Sequence, residues 1–216
     1  LIESVANLTI RGDDPATTIL DGRVDLDLEW EDVGDGVFRS TAVPAVAPWQ
    51  LWVDDVPLTS ARWPNAQAWT AEWWNRDATW AYQTADSTCG RLVDSGGVGG
   101  HSLAELNVSV AGCNLVANNE HWITRVYEIE NHTRGSNAME YVHPGDSVGF
   151  CYKYYDDATN NRYFIDGCPA VLDAPGEWTA DTDGRLLVVP PTGVSTLASV
   201  TGKVQTFAFF CVDCPG

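Results

Sequence analysis

The sequence is poor in positive charge. Twelve Lys and Arg stand against 30 Asp and Glu in 216 residues, a formal net charge of −18, and the pI is near 4.2. A surface this negative repels phosphate backbones and anionic membranes, so nucleic acid is not expected as a partner. No apolar run approaches the ~18–20 residues of a bilayer-crossing helix, which excludes a transmembrane helix. Sustained 3.6-residue periodicity is missing as well, which leaves strands as the main element. The Gly-rich stretch from Gly96 to Gly100 lacks the Lys-Ser/Thr of a phosphate loop. No Ser sits in a Gly-x-Ser-x-Gly elbow, and none of His101, His121, His132 and His143 forms an i,i+4 pair. What remains is a chain with 44% hydrophobic residues, enough for a core and too many for disorder.

Tryptophan is abundant where lysine and methionine are scarce: ten Trp against two Lys and one Met. Trp63, Trp69, Trp73, Trp74 and Trp80 crowd into eighteen residues. Sugar rings stack their C–H faces on such flat aromatics, and a polar, acidic neighbourhood suits a neutral glycan. Trp73 and Trp74 are the first candidates for carbohydrate binding, followed by Trp69 and Trp80. The competing reading is that these rings are structural glue, buried with their N–H groups hydrogen-bonded.

Six cysteines, Cys89, Cys113, Cys151, Cys168, Cys211 and Cys214, allow fifteen pairings if all are in disulfides. Cys211-Val-Asp-Cys214 is the sole closely spaced pair, so zinc is not expected. Asn7-Leu-Thr9, Asn107-Val-Ser109 and Asn131-His-Thr133 are N-glycosylation sequons. Asn131, in a polar stretch, is expected to be exposed, whereas Asn107 sits in an alternating run that faces either way. Cysteines, sequons and acidity together favour a secreted, extracellular protein.

Short runs of Val, Ile, Leu, Thr and Trp, broken by Gly, Asp, Asn and Pro, make the chain mostly β. Residues 50–58 read as a hairpin turning at Asp54-Asp55, and residues 177–190 as another turning at Asp183-Gly184. Alternation resumes from Leu103, Leu106, Val108 and Val110, then at residues 122–129, 150–155 and 163–167. The segment from Trp69 to Trp80 is the best helical candidate.

Asn7-Leu-Thr-Ile-Arg-Gly12, Trp49-Gln-Leu-Trp-Val-Asp-Asp-Val-Pro-Leu58 and Ala61-Arg-Trp-Pro-Asn65 resemble the amino-terminal region of secreted right-handed parallel β-helix proteins. So does the run from Arg162 through Leu172-Asp-Ala-Pro-Gly-Glu-Trp178 to Leu186-Leu-Val-Val-Pro-Pro191. That group includes glycoside hydrolases and polysaccharide lyases. The resemblance implies an all-β chain that starts a parallel β-helix and carries a β-rich inserted domain. Residues 1–34 would be the first coil, 35–150 the insertion, and 151–216 a return hairpin and the next coil, with Thr206–Cys211 as one of its strands. One or two coils form an incomplete solenoid, since a coil needs neighbours to bury its apolar face. The rest of a longer chain, or further copies, would cover the open end.

Catalysis in that group lies on later coils, so the resemblance transfers no catalytic residue to this chain. Glycoside hydrolysis needs two carboxylates ~5–10 Å apart, and thirty acids form too many pairs to rank. Asp54/Asp55, Asp156/Asp157 and Asp181/Asp183 sit at turns, where Asp bonds its own backbone. No cofactor is expected. Calcium is the one ion these turn acids would suit, without the spacing of an EF-hand loop. The expected function is binding or processing of a polysaccharide. The alternative is a non-catalytic extracellular structural protein that assembles into a filament or coat.

Overall fold

The computed structural model describes residues 2–3, 11, 13–14, 16–17, 21–120, 123–142, 161–205 and 211–212. They form an all-β structure of several sheets with two α-helices of four residues each, Ala71–Trp74 and Arg76–Thr79. The largest sheet has seven strands. Its order is Arg91–Val93, Ala138–Tyr141, Ile123–His132, Asn114–Glu120, Arg162–Asp166 and Arg62–Trp63, with Ala81–Tyr82 also paired to Arg162–Asp166.

Alternation decides which face of this sheet is buried. Leu115 opposes Ile165 on one side and Tyr127 on the other, so these residues point the same way. With Ala117, Ile129, Met139 and Tyr163 they form the main core. The Cys113–Cys168 disulfide lies in this cluster and resolves one of the pairings that spacing leaves open. Cys89 is also disulfide-bonded. Cys151 and Cys214 lie outside the described residues, as do Asn7, residues 150–155 and 206–210, His121, Trp122, His143, Asp156 and Asp157.

A second core lies under a five-stranded and a four-stranded sheet. Strands Trp30–Gly34, Val37–Ser40, Leu186–Val189, Glu177–Ala180 and Thr59–Ser60 make the first of these; Arg23–Asp25, Val200–Lys203, Gln50–Val53 and Val56–Pro57 make the other. Leu51, Val53, Leu58, Leu186, Val188 and Val200 are buried together. Turn chemistry fixes the hairpins. Asp54 (φ 47°) and Asp55 (φ 65°) both take the left-handed backbone that a tight two-residue turn requires, and Gln50–Val53 pairs with Val56–Pro57 as expected. At the other expected hairpin the Asp181 carboxylate accepts the N–H groups of Asp183 (2.9 Å) and Arg185 (3.0 Å).

One expectation fails locally and one holds in part. The alternation from Leu103 to Val110 is no strand: Leu103–Glu105 is a 3-10 turn followed by bends. Hydrophobic spacing there serves inward anchoring, with Leu103 and Val110 both in the main core. The helical segment from Trp69 to Trp80 is two single turns interrupted at Asn75. Parallel pairing occurs where Ile2–Glu3 meets Cys211–Val212 and where Thr59–Ser60 meets Glu177–Ala180. The other described ladders are antiparallel, including those of Val200–Lys203 with Gln50–Val53 and Arg23–Asp25.

Candidate glycan-binding surface

The tryptophan-rich segment crosses one edge of the seven-stranded sheet and is held there by a buried arginine. Arg62 is 1% exposed. Its Nε donates to the carbonyl of Pro64 (2.9 Å) and its Nη2 to that of Thr79 (2.6 Å). One side chain therefore ties both ends of the segment to the sheet. The guanidinium lies 3.9 Å from the Phe164 ring centre and 5.1 Å from that of Trp73, a stacking that its planar charge favours. Burial lowers its pKa to about 10, while Asp166 and Glu177 oppose that shift. Arg62 stays a cation at neutral pH.

Glu177 is the acid behind this anchor. Its Oε1 accepts the Arg62 N–H (3.2 Å), and its Oε2 accepts those of Asp173 and Ala174 (3.1 Å each). Burial pushes its pKa up to about 7 against the pull of these three donors. With both oxygens engaged by backbone, Glu177 works as a clamp on the turn at residues 173–177. The shallow cleft beside it, about 100 Å³, is lined by Asn65, Gln67, Glu72 and Glu177 among others. Asn65 is fixed there by a bond to the Asp173 carboxylate (2.9 Å).

The four candidate tryptophans separate into two pairs. Trp73 is half-buried against Arg62. Trp80 packs edge-on to Phe164 with ring centres 4.7 Å apart, and its buried indole N–H has no acceptor among the described residues. These two are packing residues. Trp69 and Trp74 are 73% and 80% exposed. The adjacent pair Trp73-Trp74 is thus split, since neighbours on a helical turn point ~100° apart.

Trp69 carries a further peculiarity: its φ is +66°. The left-handed region is uncommon for any bulky residue and costs roughly 1–2 kcal/mol relative to a right-handed backbone. The surroundings impose it. The N–H of Ala68, one residue before, is held by the Thr59 hydroxyl (2.8 Å), and Thr70, one residue after, donates its hydroxyl to the Gln67 carbonyl (2.9 Å). A large apolar ring is therefore both held in water and held at a backbone cost. No sequence signal marks this position apart from its neighbours.

A third exposed indole escaped the sequence reasoning. Trp49 is 58% exposed and donates its Nε1 to the Gln205 carbonyl (3.2 Å). The Lys203 ammonium lies over Trp49 and Trp52, 5.3 and 5.2 Å from their ring centres. A larger, mainly apolar cleft of about 290 Å³ opens elsewhere, between Val43, Pro44, Pro48, Trp178 and Leu186. Of the sequons, Asn107 and Asn131 are both exposed. No group of His, Cys, Asp and Glu among the described residues is placed to hold a metal ion, and no described helix is long and apolar enough to cross a membrane.

No protein-family model matches the chain, and no curated protein matches it. Among solved structures, the fold is similar to that of a glycoside hydrolase, with a TM-score of 0.59 over 85% of this chain at 16% sequence identity. The match spans 31% of the hydrolase chain. What the two share is a fold, over less than a third of the hydrolase's length.

Proposed function

We propose that this chain is the glycan-contacting part of a secreted carbohydrate-active protein, with Trp69 and Trp74 as its stacking surface. One observation carries the reading: Trp69 is kept exposed on a left-handed backbone. Strain of that kind persists where function requires the side chain, and an indole in water is suited to the C–H face of a pyranose. Asn65, Gln67 and Glu72, from the same segment and lining one shallow cleft, offer the amide and carboxylate groups that hydrogen-bond sugar hydroxyls. The acidic surface favours neutral polysaccharides over anionic ones. The fold likeness to a glycoside hydrolase agrees with a carbohydrate ligand.

The finer architecture belongs to the same proposal. The parallel ladder of Ile2–Glu3 with Cys211–Val212 is the pairing that stacked β-helix coils make, and we read it as the point where a solenoid begins. Glu177 is committed to backbone and serves as a clamp, not as an acid or base for bond cleavage.

Affinity electrophoresis of the native protein through gels containing neutral β-glucan, xylan or mannan tests the proposal. Retardation by at least one of them is expected, with Trp69→Ala and Trp74→Ala each weakening it about tenfold, the effect of ~1.4 kcal/mol. Equal retardation of both variants and the parent, or none with any polysaccharide, overturns the assignment.

A further inference from the structure

Two sequons far apart in sequence meet at one corner of the seven-stranded sheet. Asn107 lies in the bend after Leu103–Glu105, and Asn131 lies in strand Ile123–His132. Ser109, the third residue of the first sequon, donates its hydroxyl to the carbonyl of His132 (2.6 Å), the middle residue of the second. The N–H of Val110 is bonded to His132 Nδ1 (3.2 Å). Arg134, just past the second sequon, donates to Oδ1 of Asn107.

The amide geometry matters because N-glycosylation uses Nδ2. Arg134 occupies Oδ1 of Asn107, and the Nδ2 of that residue makes no hydrogen bond among the described residues. Asn131 donates from Nδ2 to Glu140 Oε2 at 3.4 Å, which engages one of its two N–H groups. Each side chain is exposed and keeps its present partner after losing one amide hydrogen. Thr133 and Ser109, the hydroxyl residues of the sequons, are exposed too.

We propose that Asn107 and Asn131 both carry N-linked glycans, which leave the protein side by side at this corner with Arg134 between them. The co-reactant is a diphosphate-activated oligosaccharide of the secretory route. Nδ2 displaces the diphosphate from the anomeric carbon, so a C–O bond breaks, a C–N bond forms and one amide proton is released. In the sheet order the strand of Asn131 stands three strands away from Arg62–Trp63, roughly 15 Å at ~4.8 Å per strand.

Peptide mapping of the protein as secreted by its own source, after amidase release of glycans in heavy-oxygen water, tests this. Heavy-labelled aspartate is expected at both positions 107 and 131. Asn107→Gln and Asn131→Gln, expressed in the same source, are each expected to remove one glycan-sized step from the intact mass. Unmodified asparagine at either position overturns the paired assignment. Because the readout is covalent mass, loss of polysaccharide binding by the Trp69 variant neither supports nor damages it.

Discussion

At the scale of single residues, Trp69 separates stability from function most sharply. Replacing it with glycine removes the cost of a left-handed backbone, roughly 1–2 kcal/mol, but adds the unfolded-state entropy of glycine, roughly 0.5–1 kcal/mol. The balance predicts that Trp69→Gly leaves stability to chemical denaturation unchanged or raised by up to about 1.5 kcal/mol while glycan retardation falls. Clear destabilisation would mean that the indole is packed, and the functional explanation of its strain would be lost. Glu177 supplies the opposite case. Its folded-state pKa of about 7 lies above the ordinary 4.5, so the folded chain holds the proton more tightly than the unfolded one. Its contribution is complete below about pH 4.5 and declines as pH rises to about 7. Asp94 and Asp166 are shifted upward by burial as well. The melting temperature is therefore expected to be higher at pH 5.5 than at pH 8. Glu177→Gln should flatten part of that slope and cost about 1–3 kcal/mol, because an amide presents an N–H where a backbone donor needs an acceptor.

At the scale of elements, most hairpins were legible because their information is local. Asp54-Asp55 and Asp183-Gly184 carry the turn chemistry that fixes register, and Tyr163, Phe164 and Ile165 announce a strand by composition alone. The exposed Trp surface was legible as a cluster but not as a division of labour. Whether an indole faces Arg62 or water depends on how Arg62 is held by the carbonyls at the two ends of the segment and by the Phe164 ring of a distant strand, and no spacing encodes that. Asn107 shows the same limit: its alternating neighbours imitate a strand, while the contacts of Leu103 and Val110 with the core decide the backbone. The Cys113–Cys168 bond is a further nonlocal fact, closing a loop of sequence separation 55. Its removal by Cys113→Ala/Cys168→Ala is expected to lower stability by about 4 kcal/mol in the chain-entropy account. Equilibrium denaturation compared with the parent checks this; a loss under about 1 kcal/mol would show that the main core holds these strands unaided.

At the scale of the whole molecule, a net charge of −18 sets a repulsive background against which the local ion pairs are small. Arg23 bridges Asp21 and Asp55, and Arg39 bridges Asp181 and Asp183, but pairs this close to solvent contribute ~0–1 kcal/mol each. Salt weakens both terms, and the repulsion is the larger. Raising sodium chloride from 0.1 to 1 M shortens the screening length from about 10 to about 3 Å, so the melting temperature is expected to rise. A fall would show that the few cations contribute more than the surplus of acids. Against this background the anchor at Arg62 takes on a wider meaning. Because one side chain holds residues 64 and 79 together, it closes the stretch between them into a loop with a fixed base. Asn65, Ala68 and Asp77 add ties to Asp173, Thr59 and Arg162, which leaves the exposed positions, Trp69 and Trp74 among them, as the part of the loop that can change while the sheets stay as they are.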